Sequence, residues 1–400
     1  MITKSAVVPS ILLLLFLIAF PQISETIYTP SLPTITRDLE TSAFLVELSL
    51  SIYFVGFAIG VLFWGIFCDR VGRRVSMLYG LILYTLASIA CYFSMRIELL
   101  LLFRVFQGMG AASGSVVTQT IMRDSFHGPK RSQLFSLIGA VLALSPALGP
   151  LIGGFAAEYW GWHANFAILI FMGIALTLYA MTSLPETKPQ HLHQRSAHDF
   201  FVVAKKLLGD KRILSLALLI GCCNGIIFAF YAEGPFIFID ILGFSPSVYG
   251  LIGLVISAAT IIGSLISHRA NKKHEATSII GAGLYIIGAG SALLCLGAFL
   301  GLFVQATFLS AAAWIVASLF IIFLGISLVI PNTLSIALVN YSHAAGTAGA
   351  LFGLIYYLQI TLFTALMSAI HNGSATPLCL LFFGLALTMR AVLPFVKAEA

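Results

Sequence analysis

The chain has 400 residues, of which 60% are hydrophobic and only 9% are charged, and its formal net charge at pH 7 is +6. This composition leaves too little polar surface to cover a soluble protein of this length, so we expect an integral membrane protein. The basic residues lie mostly in short segments between apolar stretches, so the positive charge indicates membrane topology and contact with anionic lipid, not nucleic-acid binding.

Twelve apolar stretches are each long enough to cross a bilayer as a helix, which takes about 20 residues. In chain order the predicted spans are residues 8–28, 44–67, 75–93, 99–121, 132–157, 164–184, 213–241, 247–267, 277–302, 309–339, 347–370 and 376–395. The boundary between the ninth and tenth spans depends on Gln305 and Thr307 alone, so a count of eleven stays open. No small-residue cleavage site follows the first stretch, and we interpret it as an uncleaved helix.

The positions of lysine and arginine favour twelve spans over eleven. If both termini lie in the cytoplasm, 17 of the 21 basic residues fall on that side, Arg37 and Arg96 fall on the opposite side, and Arg104 and Arg390 fall inside spans. Basic residues in short loops stay in the cytoplasm, and an odd number of spans would spoil this separation. We therefore expect a multi-pass membrane protein with both termini in the cytoplasm.

A polar segment, residues 185–212, separates the predicted spans into two sets of six. We expect it to be a cytoplasmic linker between an N-terminal half, residues 1–184, and a C-terminal half, residues 213–400. Its three histidines have no acidic residue or cysteine at ligand spacing, so no metal site is predicted.

The densest charge cluster lies between the second and third spans, in GIFCDRVGRR at residues 65–74. Its candidates for a conformational latch are Gly65, Asp69, Arg70, Gly72, Arg73 and Arg74. Asp69 ends a helix, where the helix dipole disfavours an anion, so it needs an arginine or another helix N-terminus nearby. The arginines could serve only to fix topology, but an acid and Gly72 at fixed spacing favour the latch. Residues 263–273 keep the basic end of this segment in the second half, which indicates that the halves are repeats.

Arg104, Glu25 and Glu233 fall inside predicted spans, where a charge is costly unless it is paired or hydrated. Arg104, in the fourth span, is expected to face the bundle interior, where backbone carbonyl groups would hold it. Glu25 and Glu233 lie in the first and seventh spans, which correspond in the two halves. Because burial disfavours a charged carboxylate, both are candidates for binding and releasing protons. A position near a helix end is the alternative for both, with Glu233 approaching the outer surface.

Aromatic and amide side chains within the spans are candidates for a substrate pocket. They are Gln22, Tyr28, Tyr53, Asn224, Tyr231, Tyr356, Tyr357 and Gln359. Aromatic walls with few polar groups suit amphipathic small molecules. Tyrosine is also common in membrane helices, so the alternative for each residue is ordinary packing.

Three motifs resemble those of the major facilitator transporters. Residues 65–74 are similar to the loop pattern GxLaDRxGRR, residues 101–112 (LLFRVFQGMGAA) to a fourth-span motif with a buried arginine, and residues 145–154 (SPALGPLIGG) to a fifth-span antiporter motif. The antiporter residues are Gly149, Pro150, Gly153 and Gly154. Close helix packing explains these glycines equally well. The resemblance implies an all-α membrane fold of twelve transmembrane helices in two pseudo-symmetric halves, with substrate bound between them.

Further segments are similar to the bicyclomycin and chloramphenicol resistance (Bcr/CflA) group, namely IYTPSLPTI (27–35), IMRDSF (121–126), LPET (184–187), EGPFIFI (233–239) and PNTLSIAL (331–338). This resemblance implies proton-driven export of small amphipathic molecules from a bacterial cytoplasm across the inner membrane by alternating access. It also implies a proton-relay or gating role for Arg104, and a contact between Asp69 and the eleventh span near Gly346. The group usually has aspartate where this chain has Thr26, whereas here the acid is Glu25.

The expected partners of this protein, taken as a monomer, are a small-molecule substrate, protons and the lipid bilayer, without a cofactor, metal ion or nucleic acid. Export of an endogenous metabolite or siderophore and proton-coupled import are the alternatives among transporters. An enzyme would need a His/Asp or Ser/His cluster within the spans, and the sequence shows none. A non-transporting receptor would not need the latch motif.

Overall fold

The computed structural model describes residues 9–126, 128–188, 197–305 and 308–397, and every regular element in them is helical. The α-helices are α1 (Ile11–Thr26), α2 (Leu32–Asp38), α3 (Ala43–Val71), α4 (Arg73–Tyr92), α5 (Ile97–Ser125), α6 (Gly128–Trp160), α7 (His163–Ser183), α8 (Ala197–Gly209), α9 (Lys211–Pro235), α10 (Pro246–Ala270), α11 (Ala276–Phe299), α12 (Leu302–Gln305), α13 (Phe308–Ala337), α14 (Ala345–Ile370) and α15 (Thr376–Lys397). Short turns of other helix types lie at Thr29–Ser31, Phe236–Ile241 and Val339–Ala344.

Across the described residues, eleven helical segments are long and apolar enough to cross a membrane, and the first of them runs from α1 through α2. The twelfth long helix is α6, with 33 residues. The prediction of an all-α membrane protein with twelve spans is therefore confirmed. Since α11 and α13 are separate helices with α12 between them, the ninth and tenth predicted spans do not merge.

The first span extends further than the sequence predicted, because its prolines interrupt the helix without ending the span. α1 ends at Thr26, a single helical turn follows, and α2 continues to Asp38. Pro30 and Pro33 lie in the first positions of their helical segments, where a missing N–H group costs no hydrogen bond. Glu25 therefore lies near the middle of the whole span and not at its end.

The predicted linker contains a helix of its own, α8, which contacts α9 and α14. Asp210 caps α9, where its side chain accepts two backbone hydrogen bonds of 3.0 and 3.1 Å. The hydroxyl of Tyr341, after α13, donates to the other Asp210 oxygen at 3.1 Å. His191 and His193 lie outside the described residues, and the boundaries of the linker at 185–212 stay a prediction.

The helices alternate in direction, so each end of the bundle collects a different set of turns. We call the end with the α3–α4 turn at Gly72 the loop end, and the opposite end the far end. At the far end, a methyl group at Gly154 of α6 would overlap the carbonyl oxygen of Pro246 on α10. One at Gly250 would come within 2.5 Å of the carbonyl oxygen of Pro150. These close approaches join the two sets of six helices.

Candidate functional site

A partly open cavity lies between the two sets of six helices, bounded by α1, α9, α13 and α14, and its empty space, with the solvent at its open side, is about 510 Å³. Its lining residues are Gln22, Glu25, Ile220, Asn224, Phe228, Ile330, Leu334, Tyr356, Tyr357 and Ile360. Aromatic and aliphatic groups with a few polar side chains suit amphipathic ligands. Of the predicted pocket residues, the structure brings together Gln22, Asn224, Tyr356 and Tyr357.

Glu25 is the acidic residue of this cavity. Its side chain is 1% exposed, and its Oε1 has no hydrogen-bond partner in the described structure. The next residue, Thr26, points towards α6, where it contacts Gly149, and its hydroxyl donates to the carbonyl oxygen of Gln22 at 3.1 Å. One residue turns a helical side chain by about 100°. The acid at position 25 therefore faces the cavity, whereas an acid at position 26 would face α6.

Aromatic side chains from both sets of helices pack beside the cavity. The rings of Tyr356 and Tyr357 on α14 lie 4.6 Å apart, and the ring of Phe57 on α3 lies 4.7 Å from that of Tyr357. Phe228 on α9 lies 4.4 Å from Phe54 on α3. The wall of the cavity is therefore also a contact between the first and second sets of helices.

Four predicted pocket residues do not line this cavity. Tyr28 and Tyr53 are fully buried on either side of Arg104, whose guanidinium carbon lies 4.2 and 4.3 Å from their ring centres. Tyr231 packs among phenylalanines, and Gln359 packs against α9. The spacing along a helix gives the depth of these residues in the membrane, but the direction of each side chain depends on neighbouring helices.

Arg104 is fully buried on α5, and aromatic and amide groups surround it. Its position between two tyrosine rings favours cation–π interactions. Its guanidinium donates to Oε1 of Gln107 at 2.5 Å, and its Nε lies 3.4 Å from the carbonyl oxygen of Ser49. Backbone carbonyl groups therefore supply only part of the expected environment, and the tyrosine rings supply the rest. The relay or gating role of Arg104 stays a prediction.

At the loop end, Arg73 is the centre of the candidate latch. Its side chain is 2% exposed and pairs with Asp124 on α5 at 2.7 Å and with Asp69 on α3 at 3.2 Å. Asp69 is 63% exposed, and the side-chain surroundings of Gly346 lie outside what the structure describes, so the expected contact with the start of α14 stays a prediction. Gly65, one turn earlier, leaves ordinary van der Waals space towards α5. In this structure Asp69 therefore interacts within the first set of helices.

Glu186, which the sequence placed only within the LPET segment, completes the cluster at the loop end. Its carboxylate accepts hydrogen bonds from the backbone N–H groups of Arg73 at 2.8 Å and Arg74 at 3.1 Å, so an anion caps the N-terminus of α4. Gly72 has a φ of +110°, and a Cβ there would lie 2.5 Å from Oε2 of Glu186. Arg70 contributes its carbonyl oxygen, which accepts a hydrogen bond from the segment after α7. Both the positive φ and the lack of space for a Cβ require glycine at position 72.

The antiporter motif lets α6 pack closely against two helices. Methyl groups at Gly149 and Gly153 would overlap atoms of α1 directly after Glu25. Gly154 and Pro150 instead face α10, in the second set of helices. One stripe of small residues thus holds the helix that carries the cavity acid and also contacts the other half of the bundle.

A second group of titratable side chains lies at the far end. Nδ1 of His371, directly after α14, lies 2.8 Å from Oε2 of Glu233 on α9 and 3.0 Å from Oε1 of Glu47 on α3. Both glutamates are fully buried, and the histidine side chain is 16% exposed. The structure buries Glu233 inside the protein and also places it near the end of α9, which agrees with the helix-end alternative. We call these three residues the far-end cluster.

One hydrogen bond and one ion pair hold the far-end cluster together, and its three ligand atoms, which all lie within 4.8 Å of one another, could also hold a metal ion. Separations of 2.8 and 3.0 Å are normal for a nitrogen donor and a carboxylate acceptor. The hydrogen bonds to Glu233 and Glu47, with their negative charges, raise the pKa of His371 to about 10. The two carboxyl groups therefore favour the charged form of the histidine. Sequence reasoning missed Glu47 and His371, although Glu47 is an acid within an apolar stretch and so carried the same signal as Glu25.

The sequence matches the family model of the Major Facilitator Superfamily over residues 14–364. An uncharacterized transporter of Rickettsia bellii is 36% identical over 388 residues, which cover 96% of this chain and 95% of that protein. Multidrug resistance protein D of Escherichia coli is 28% identical over 86% of this chain and 84% of its own length. The bicyclomycin resistance protein homolog of Haemophilus influenzae is 27% identical over 92% of this chain and 91% of its own length.

Among solved structures, a D-xylose–proton symporter superposes with a TM-score of 0.76 at 14% sequence identity, over 98% of each chain. At this identity the likeness shows the fold alone. The family match and the relatives agree with the sequence motifs described between residues 27 and 338. This protein therefore belongs to the major facilitator superfamily, in its bicyclomycin and chloramphenicol resistance group, and is a multi-pass membrane transporter of small molecules.

Proposed function

We propose that the protein is a proton-coupled exporter of small amphipathic molecules that works by alternating access. The observation that carries the proposal is Glu25, a buried carboxyl group with an unpartnered oxygen in a cavity between the two sets of helices. The names of the relatives, which include multidrug and bicyclomycin resistance proteins, support export of foreign compounds.

Glu25 offers a simple way to exchange protons for substrate. When protonated, it is neutral and tolerates the apolar cavity; when deprotonated, it attracts a hydrogen-bond donor or a cation on the substrate. Proton and substrate therefore disfavour each other's binding, which an antiporter requires. Gln22 and Asn224 would orient polar groups of the substrate, and the two cavity tyrosines would pack against its apolar part.

The arrangement of the two ends supports a state that is open at the loop end. The far end is closed by the far-end cluster and by the close packing of α6 on α10. At the loop end, Asp69 is 63% exposed beside Arg73, so its carboxylate can contact the start of α14 when that end closes. The placement of basic residues puts the loop end and both termini in the cytoplasm, so this state would load substrate from inside.

Transport by purified protein in proteoliposomes tests the proposal. Counterflow with a panel that includes labelled chloramphenicol and bicyclomycin identifies a substrate, and an imposed pH gradient then tests coupling. We expect Glu25→Gln to abolish transport driven by the pH gradient while substrate exchange persists, because the amide mimics the protonated carboxyl group. The exposed acid Glu275, at the loop end, provides the control variant Glu275→Gln. If Glu25→Gln transports like the wild type, the assignment is wrong.

The same measurements distinguish the alternatives. Counterflow of endogenous metabolites or siderophores, without counterflow of the drugs, would indicate an exporter of a natural compound. If substrate accumulates against its gradient in the compartment into which protons flow, the protein is a proton-coupled importer.

A further inference from the structure

A single proton, on His371, does not neutralise the charges of the far-end cluster. Two fully buried carboxylates beside one charged imidazole leave a net charge of −1. An uncompensated charge inside a protein is costly, so a second positive charge is required. Both carboxyl oxygens of Glu47 and Oε1 of Glu233 are buried without a hydrogen-bond partner in the described structure, and Oε1 of Glu47 meets Nδ1 of His371 as an ion pair at 3.0 Å. A second proton, carried by one of the two carboxyl groups, restores neutrality.

The surroundings of the cluster do not provide this charge in another way. Arg37 on α2 and Asp240, after α9, lie nearby and are opposite in sign, and both are exposed to solvent at the rim. The ring of Phe236 packs against His371 with 5.2 Å between ring centres, which limits access of water on that side. The 16% exposure of His371 leaves a route for protons from the far side of the membrane.

The cluster also joins the two moving parts of the proposed cycle. Glu47 belongs to the first set of helices, whereas Glu233 and His371 belong to the second. Opening at the far end has to separate Glu47 from His371. The energy of this contact therefore contributes directly to the balance between the two open states.

We propose that Glu47, Glu233 and His371 form a proton-binding gate, which closes the far end when it holds two protons and opens when it loses one. In the closed gate one proton lies on His371 and one on a carboxyl group. On opening, the carboxyl proton passes to water on the far side, and Glu47 becomes a hydrated carboxylate. Binding of a proton from that side reverses the step and closes the gate.

The gate explains how the exporter returns to the state open at the loop end after it releases substrate. Acid outside the cell protonates the open cluster and favours closure at the far end, which brings the cavity back to the loop end. This placement in the cycle rests on the proposed export function. The gate itself does not, because its opening can be measured without any substrate.

Distances between spin labels at the far end test the gate. Met95 and Phe299 lie at this end in different sets of helices and are 84% and 88% exposed, so labels on Met95→Cys and Phe299→Cys, in a background without the six native cysteines, report separation of the halves. We expect the short-distance population to grow as the pH falls from 9 to 5 and to shrink as it rises. A distance distribution that does not change with pH overturns the proposal.

Two substitutions should act in opposite directions. Glu47→Gln removes the carboxyl group that must lose its proton, so the short distance should persist at all pH values. His371→Ala leaves two carboxyl groups without a cation, so the short-distance population should be lost at neutral and alkaline pH, and His371→Lys should restore it. Glu98→Gln, which changes an exposed acid at the same end, should behave like the wild type. If Glu47→Gln and His371→Ala shift the distances in the same direction, the cluster is only a packing contact and the proposal fails.

A metal ion would give a different result. If a chelator removes the closed population at acidic pH and Zn²⁺ restores it, the cluster binds a divalent cation and the proton gate is wrong. Unchanged distances after chelation support the gate. Failure of drug transport with a working gate would overturn only the proposed function.

Discussion

The two ends of the bundle both carry a charged cluster, but they differ in the parts of the chain that they join. At the loop end, Arg73 pairs with Asp69 and Asp124, and Glu186 caps the helix that begins with Arg73. Arg73, Asp69 and Asp124 belong to the first set of helices, and Glu186 lies in the segment directly after α7. At the far end, one histidine bridges a carboxylate from each set.

This difference indicates two roles for buried charge in one transporter. In the proposed alternating-access cycle, a cluster within one set of helices moves as a unit, so its contacts persist and hold that set together. A cluster between the sets must break and form again whenever the far end opens. Substitutions at the loop-end core should therefore lower stability, whereas substitutions at the contact between the sets should change the population of states.

The largest effect on stability is expected for Arg73→Gln. The substitution removes a buried guanidinium and leaves Asp124 without its partner, which we expect to cost about 3 kcal/mol. Thermal unfolding of the purified protein should show a clearly lower Tm. Arg70→Gln, which changes an exposed arginine of the same segment, is the control and should leave Tm nearly unchanged. Equal Tm values for the wild type and Arg73→Gln would contradict a structural role for the cluster.

Substitutions at two neighbouring glycines on α6 test the two roles separately. Gly153→Ala would place a methyl group against the backbone of Ile27 within the first set, and should destabilise the protein by about 1–3 kcal/mol. Gly154→Ala places it against Pro246 in the second set. The sets can move apart to relieve that overlap, so the far-end spin-label distance should lengthen with little change in Tm. Identical behaviour of the two variants would mean that the sets do not move independently here.

The smallest effect on stability is expected for Asp69→Asn. This carboxylate is 63% exposed, so loss of its ion pair with Arg73 should cost less than about 1 kcal/mol. Transport in proteoliposomes should nevertheless slow several-fold, because the charge is needed when the loop end closes. An unchanged rate would remove Asp69 from the mechanism and leave the loop-end cluster with a structural role alone.

The sequence identified the acid of the cavity but only part of its surroundings. Glu25 could be singled out because a carboxyl group in an apolar stretch is costly wherever the stretch packs. Tyr28 and Tyr53 were predicted to line the same pocket as Glu25, yet they pack on Arg104 and not around a cavity. Depth follows from spacing along one helix, whereas the direction of a side chain depends on which helices surround it.

Helix number, the buried position of Arg104 and the charged turn at residues 65–74 were determined by the sequence itself. The physical reason is that lipid penalises every exposed polar group, so the length of each apolar stretch and the position of each charge indicate how the chain crosses the membrane. The far-end cluster was decided only by tertiary structure. Glu47, Glu233 and His371 are separated by more than one hundred residues along the chain, and no local pattern relates them. They meet because helix packing brings the ends of three helices from both halves to one point.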